Sequence, residues 1–278
     1  MRKIGIAVNM ALGRFGYEIR SVRRNPGFRP SKKTKGTIVE LLGPSGIGKT
    51  TLAKQVIENE WSQSWNYGYP AACKAAGPCP LDALYEKLIQ RKIARIYAKN
   101  YTISTKLNQS AFFIRRLMED RAMMRDGLWL EGGFFWNDGI THQFSAQLEQ
   151  MMEKNEMPER SKLLYFAPRA FVNLVASPQT VMARLHQRNK TKPDGANDWV
   201  KILGSQLTED RIRASFEQRK RLCQGAREAG AVVFELDLDQ NEKAIIDQVR
   251  GIEDSIVSTS YERIERVRDL IGTSGVSI

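Results

Sequence analysis

Residues 38–54 read IVELLGPSGIGKTTLAK, and no other stretch constrains the fold as strongly. Thr37 to Leu42 is β-branched and apolar, the composition of a buried strand. Gly43-Pro44-Ser45-Gly46-Ile47-Gly48-Lys49-Thr50 follows, a full match to the pattern G-x-x-x-x-G-K-[ST]. Thr51 to Glu58 then reads as the opening of a helix, with Leu52, Val56 and Ile57 on one side. A strand, a glycine-rich turn and a helix start in that order make an anion cradle, because glycines let backbone N–H groups turn inward and the helix N-terminus adds partial positive charge. The spacing predicts that the backbone from Gly43 to Thr51 surrounds a polyphosphate and that Lys49 reaches its β- and γ-phosphates. The Thr50 hydroxyl is then placed to ligate Mg²⁺. The expected ligand is a nucleoside triphosphate, ATP. The motif by itself leaves open whether the phosphate is transferred, hydrolysed or sensed.

Downstream segments alternate between strand and helix patterns, which predicts an α/β fold with a parallel sheet covered by helices on both faces. In DGLWLEGGFFWND (126–138) the run Leu128-Trp129-Leu130 predicts a short strand ended by Glu131 and a glycine pair. Ligands gather at the carboxyl ends of parallel strands. Glu131 at such an end has two open tasks: holding Mg²⁺, or taking the proton of an attacking hydroxyl. Asp138 is the second candidate for both. Trp129, Phe134, Phe135 and Trp136 make this region aromatic, and most of these rings are expected in the core.

Ala170 to Val175 reads as another buried strand. ASPQTVMARLHQR opens a helix with Ser177 as N-cap and Pro178 at the first helical position. Arg184 and Arg188 lie four apart on one face of it. The polar stretch NKTKPDGAND must be a loop, and a second helix from near Thr208 carries Arg211 and Arg213, with Ile212, Phe216 and Cys223 as its apolar face. Two helices joined by a basic loop predict a helical lid over about 184–213, closing on the triphosphate and bringing an arginine to the developing charge. AVVFELDLD (231–239) predicts a further strand. A helix through Ile245, Ile246, Val249 and Ile252 follows it, and residues 259–278 are expected to form a C-terminal helix and tail.

The net charge of +12 is uneven: residues 1–36 hold ten basic side chains and one acid, Glu18, so +9 of the total belongs to a leader. Within it Ile4, Val8, Leu12, Phe15, Ile19 and Val22 recur at helical steps until RRNPGFRP breaks the pattern. Residues 1–35 are therefore read as a basic amphipathic N-terminal extension. Its partner is open among an anionic membrane surface through residues 1–24, an organellar targeting role, and packing on the core with a solvated basic face. Three cysteines and two histidines form neither a closed disulfide set nor an evident metal site. Reduced thiols point to a cytoplasmic chain. No apolar run approaches the roughly 20 residues of a membrane span.

The order P-loop, acid-tipped strand, "strand–ASPQTVMARLHQR–basic loop" and "helix–AVVFELD–helix" resembles the P-loop nucleoside and nucleotide kinases, with thymidylate-kinase-like proteins nearest. The resemblance covers about residues 36–253 and is most specific at the P-loop and at Ser177 to Arg188. It implies a P-loop NTPase fold over 36–258, lid arginines at Arg184 and Arg188 contacting phosphates, and an adenine near the chain after Asp237. Two departures stand out. Glu131-Gly132 replaces an Asp-Arg pair frequent in such families, and residues 59–127, where an acceptor pocket belongs, match no pattern. WSQSWNYGYPAACKAAGPCPLD there reads as a loop-like insert before two basic helices.

The leading expectation is a small-molecule kinase that moves the ATP γ-phosphate to a hydroxyl or phosphate of a nucleotide, sugar or glycan precursor. A polynucleotide kinase is disfavoured because most of the basic charge sits in the leader, and no aromatic-plus-basic strand pattern is evident. The reading from another class is an ATP-binding switch or ATPase acting on a protein or nucleic-acid partner.

Overall fold

The computed structural model describes residues 33, 34, 36–61, 65–67, 78–129, 132–191 and 204–272. The basic leader over 1–32, the polar loop over 192–203 and the candidate Glu131 lie outside the described residues.

Five strands form one sheet: β1 (Ile38–Leu42), β2 (Trp65–Tyr67), β3 (Gly133–Trp136), β4 (Arg169–Val175) and β5 (Val232–Asp237). They lie in the order β2-β3-β1-β4-β5, and every neighbouring pair is parallel. The expected α/β architecture is therefore present. Burial on both faces explains why β1 reads as a continuous apolar run rather than an alternating one. Ile38 and Leu42 enter one core while Val39 and Leu41 enter the other.

The glycine loop leads from β1 into α1, whose Lys49–Leu52 turn continues through a π-helical stretch, Ala53–Ile57, and a last turn, Glu58–Glu60. The basic helices expected before residue 127 are α2 (Asp82–Tyr97) and α3 (Ile103–Arg125). Leu81, Leu84, Tyr85 and Leu88 are buried beneath α2, as their spacing requires. Short helices α4 (Ile140–Gln143), α5 (Ser145–Glu153) and α6 (Glu159–Phe166) lead to β4. Helix α7 (Pro178–Thr191) starts where the sequence puts it, with the Thr180 amide donating to the Ser177 hydroxyl at 3.2 Å. Helix α8 (Ser205–Glu228) buries Ile212 and Cys223 as expected.

Two strand readings change. The strand near residue 130 runs over Gly133–Trp136, and Gly127–Trp129 is instead a single 3-10 turn. Gly133, Phe134, Phe135 and Trp136 are all buried, whereas Trp129 is 40% exposed. The acid just beyond the carboxyl end of this strand is consequently Asp138. The second change is β2, found inside the segment that reads as a loop. Trp65 fixes it: the ring is fully buried beside Trp61, and its indole N–H donates to Glu253 at 2.8 Å. Three residues are too few to show a period of two in sequence.

After β5 one helix, α9 (Glu242–Gly272), runs unbroken for 31 residues, or about 46 Å. It passes through residue 258 and includes the helical pattern near 261–271. Val249, Ile252 and Ile256 belong to one core, and Ile264, Val267 and Ile271 to the other. Between these halves Arg263 donates to the Ala167 and Arg169 carbonyls at 3.0 Å, and within the second half Arg268 donates to the Leu128 carbonyl at 3.1 Å. Those carbonyls lie at the amino ends of β3 and β4. Helix α9 therefore covers the amino-terminal end of the sheet and leaves the carboxyl ends for a site. No helix among the described residues is long and apolar enough to cross a membrane.

Candidate functional site

The chain runs from β1 to the far strand β2, returns to β3, and then crosses β1 to reach β4. The strand order thus reverses beside β1, and the crevice outside the carboxyl ends at such a switch point is where open α/β sheets bind ligands. Two segments meet there: the glycine loop after β1 and the turn after β3.

The glycine loop is anchored rather than free. Ile47 is completely buried in the core between α1, α7 and the sheet, which is worth about 2–3 kcal/mol to holding the loop down. Gly48 has φ 107°, a backbone open to glycine, and caps α1 without a side-chain acceptor for the first-turn N–H groups. Ser45, Thr50 and Thr51 are exposed on this rim. The Lys49 ammonium donates to the carbonyls of Gly43 at 2.9 Å and Pro44 at 3.1 Å, so its side chain lies back along the loop. Burial first, then the charge of Arg219, lowers the Lys49 pKa from 10.5 to about 8, and the charge of Asp138 acts against them. Lys49 and Asp138, on the segments that follow the adjacent strands β1 and β3, are therefore near enough for their charges to interact.

Asp138 lies on the turn after β3. Its carboxylate accepts from Gln143 Nε2 at 2.8 Å, with His142 Nε2 at 3.6 Å and Arg116 Nη2 at 3.8 Å. Arg116 also donates to the Asp138 carbonyl at 3.1 Å, and its guanidinium sits 5.3 Å from the Trp136 ring centre. Burial, followed by the charges of Lys49, Arg219 and Lys92, pushes the His142 pKa well below 6.5, so this imidazole is neutral at physiological pH. A neutral histidine beside a carboxylate leaves Asp138 with acceptor capacity to spare, which suits proton abstraction.

The turn is held from within the core. Glu40, in the middle of β1, is fully buried and accepts from the Thr141 amide at 3.0 Å and the Thr141 hydroxyl at 3.1 Å. Arg169 of β4 donates to Glu40 at 2.9 Å and also to Asp120 of α3. The Tyr85 hydroxyl donates to Asp120 at 2.7 Å. Gly139 packs so closely on Glu40 that an added Cβ would overlap the carboxylate, which has no room to retreat. Gly139→Ala is accordingly expected to lower stability by about 1–3 kcal/mol, read as a fall in the urea midpoint, because the turn bearing Asp138 must shift.

Of the residues expected from sequence, Gly43 to Thr51 and Asp138 come together at the carboxyl ends of β1 and β3. Arg184 reaches the same loop, donating to the Ile47 carbonyl and, at 3.2 Å, to the Leu238 carbonyl after β5. Arg188 is exposed one turn further along α7. Among the described residues no group of three or more His, Cys, Asp or Glu side chains forms a metal cluster. A Mg²⁺ held chiefly by phosphate and water needs only one or two protein oxygens, and the Thr50 hydroxyl fits that role.

Sequence reasoning passed over Glu40, Arg116, His142 and Arg219. Two of them carried a signal: Glu40 is a charge inside an apolar strand, and Arg219 falls on the apolar stripe of α8 between Phe216 and Cys223. No protein-family model matches the chain, and no curated protein matches it either.

Proposed function

We propose that this chain is an ATP-dependent phosphotransferase, a P-loop kinase that moves the γ-phosphate of ATP to a hydroxyl or phosphate of a small acceptor. One observation carries the reading: the loop bearing Lys49 and the turn bearing Asp138 follow the carboxyl ends of adjacent parallel strands, at the switch point of the sheet. A loop that only sensed nucleotide would need the lysine and the glycine turn. The partly exposed carboxylate opposite them supplies what transfer adds, a base for the acceptor hydroxyl.

In this reading the N–H groups of the loop and of the first turn of α1 hold the phosphate chain, and Lys49 swings from the Gly43 and Pro44 carbonyls to the β- and γ-phosphates. Thr50 holds the Mg²⁺ that neutralises phosphate charge. Asp138, oriented by Gln143 and Arg116, takes the acceptor proton. Arg184 ties the loop to the end of β5, where the resemblance to nucleotide kinases puts the adenine, and Arg188 belongs to the proposed lid. Glu131 stays a second acid to be tested beside Asp138.

The test is product analysis with radiolabelled Mg-ATP against nucleosides, nucleotides, sugars and glycan precursors, comparing wild type with Asp138→Asn and Glu131→Gln. Asp138→Asn is expected to slow transfer by about a hundredfold while ATP binding stays within a few-fold of wild type. ATP bound but only slowly hydrolysed, with every acceptor left unlabelled, would move the assignment to an ATP-binding switch.

A further inference from the structure

Helix α8 begins in one core and ends in the other: Ile212 and Phe216 pack with the residues around Ile47, whereas Leu222, Cys223 and Ala226 pack with those around Phe171. Arg219 sits between these two groups on the same stripe. It is 6% exposed, and among the described residues its guanidinium donates to its own helix, to the Ser215 carbonyl at 2.9 Å and to the Ser215 hydroxyl. Its Nε–H is buried without an acceptor, and among the described residues no carboxylate is ion-paired with it. A buried cation lacking a counter-charge is unfavourable unless an anion reaches it. Arg219 also lies near the glycine loop: Phe216, one turn before it, packs in the cluster that holds Ile47, and the Arg219 charge acts on both Lys49 and His142.

We propose that Arg219 is a phosphate-binding residue, closing from α8 over the phosphoryl group that Lys49 holds from the loop. The proposal rests on the phosphotransferase reading and adds a residue to it. A guanidinium offers a planar fork of N–H donors matched to phosphate oxygens, which the single ammonium of Lys49 does not. The phosphate is either the terminal group of the nucleotide or one carried by the acceptor.

Calorimetry on wild type, Arg219→Met and Arg219→Lys separates these sources, using ATP, inorganic triphosphate, ADP, and inorganic phosphate added to the ADP complex. Arg219→Met is expected to bind the relevant phosphate at least tenfold more weakly, with Arg219→Lys between it and wild type. A defect with ATP and triphosphate but not ADP places Arg219 on the terminal phosphate of the nucleotide. A defect only for phosphate added beside ADP places it on the acceptor's. Thermal melting without ligand supplies the readout that a structural arginine would fail: Arg219→Met, filling its site with an apolar chain, is expected to melt at or above the wild-type temperature. Unchanged affinity for every ligand, or a marked fall in melting temperature with affinity intact, overturns the proposal and leaves the kinase reading standing. If wild type binds neither ATP nor triphosphate, both fall together.

Discussion

Lys49→Met is expected to lose measurable ATP binding at micromolar protein and to lower phosphoryl transfer by about two to three orders of magnitude, while the folded structure survives. The lysine is the only cation on the glycine loop itself, and its ammonium already lies against the Gly43 and Pro44 carbonyls of the proposed phosphate cradle. Removing it takes away charge stabilisation that grows as the γ-phosphate leaves, so kcat falls as well as affinity. The pH profile gives an independent check. Folding lowers the Lys49 pKa from 10.5 to about 8, so between those values the unfolded chain binds more protons than the folded one. Stability due to this lysine therefore rises with pH across that window. Binding runs the other way: phosphate needs the ammonium, so ATP affinity should weaken from pH 7 to pH 9 in wild type. Titration calorimetry at both values, with Lys49→Met as the reference, reads this directly. An affinity that is flat with pH and survives Lys49→Met would remove the glycine loop from ATP recognition.

The contrast between what the sequence exposed and what it hid follows from the physics of each signal. The strand–loop–helix unit around Lys49 was legible because every part of its chemistry is local: β-branched residues, glycines and a helix start within 17 residues. Strands β1 and β4 and the cap at Ser177 were readable for the same reason. The strand carrying the acid was displaced because Leu128 to Leu130 and Gly133 to Trp136 have similar apolar character, and only tertiary burial decides between them. That choice moves the carboxyl-end acid from Glu131 to Asp138. β2 was hidden because three residues carry no period, and its anchor, the Trp65–Glu253 bond, spans 188 residues. His142 and Arg116 act through partners placed by the fold, so their types alone announced nothing. Arg219 and Glu40 were different, since each breaks an apolar pattern, and a charge that breaks such a pattern is the sequence feature to question.

Glu40 and Arg169 lead to the largest expected loss of stability. Arg169→Met should lower unfolding free energy by about 3–5 kcal/mol, since one fully buried guanidinium serves two fully buried carboxylates, Glu40 and Asp120. Removing the cation leaves both carboxylates without a counter-charge, whereas removing one carboxylate leaves the guanidinium paired with the other. Glu40→Gln should therefore be milder, at about 1–3 kcal/mol, because its amide can accept from Arg169 but then turns a donor toward the Thr141 N–H. The pH dependence separates the two variants. Burial, the largest influence on Glu40, raises its pKa above 4.5 even with Arg169 beside it. The folded chain thus binds more protons than the unfolded one just above pH 4.5, and this residue's contribution to stability falls as pH rises from there to its folded pKa. Arg169→Met deepens that fall, because the opposing charge is gone, and Glu40→Gln abolishes it. Urea denaturation at pH 5 and pH 8 should show Arg169→Met relatively better preserved at pH 5 and Glu40→Gln without that bias. The consequence reaches the site through Thr141, which Glu40 holds by both amide and hydroxyl three residues after Asp138. If the buried carboxylate sets the position of that turn, Glu40→Gln slows transfer with nucleotide affinity unchanged, although Glu40 touches no ligand. A variant that keeps full transfer despite its lost stability would instead confine the network to holding the sheet and α3 together.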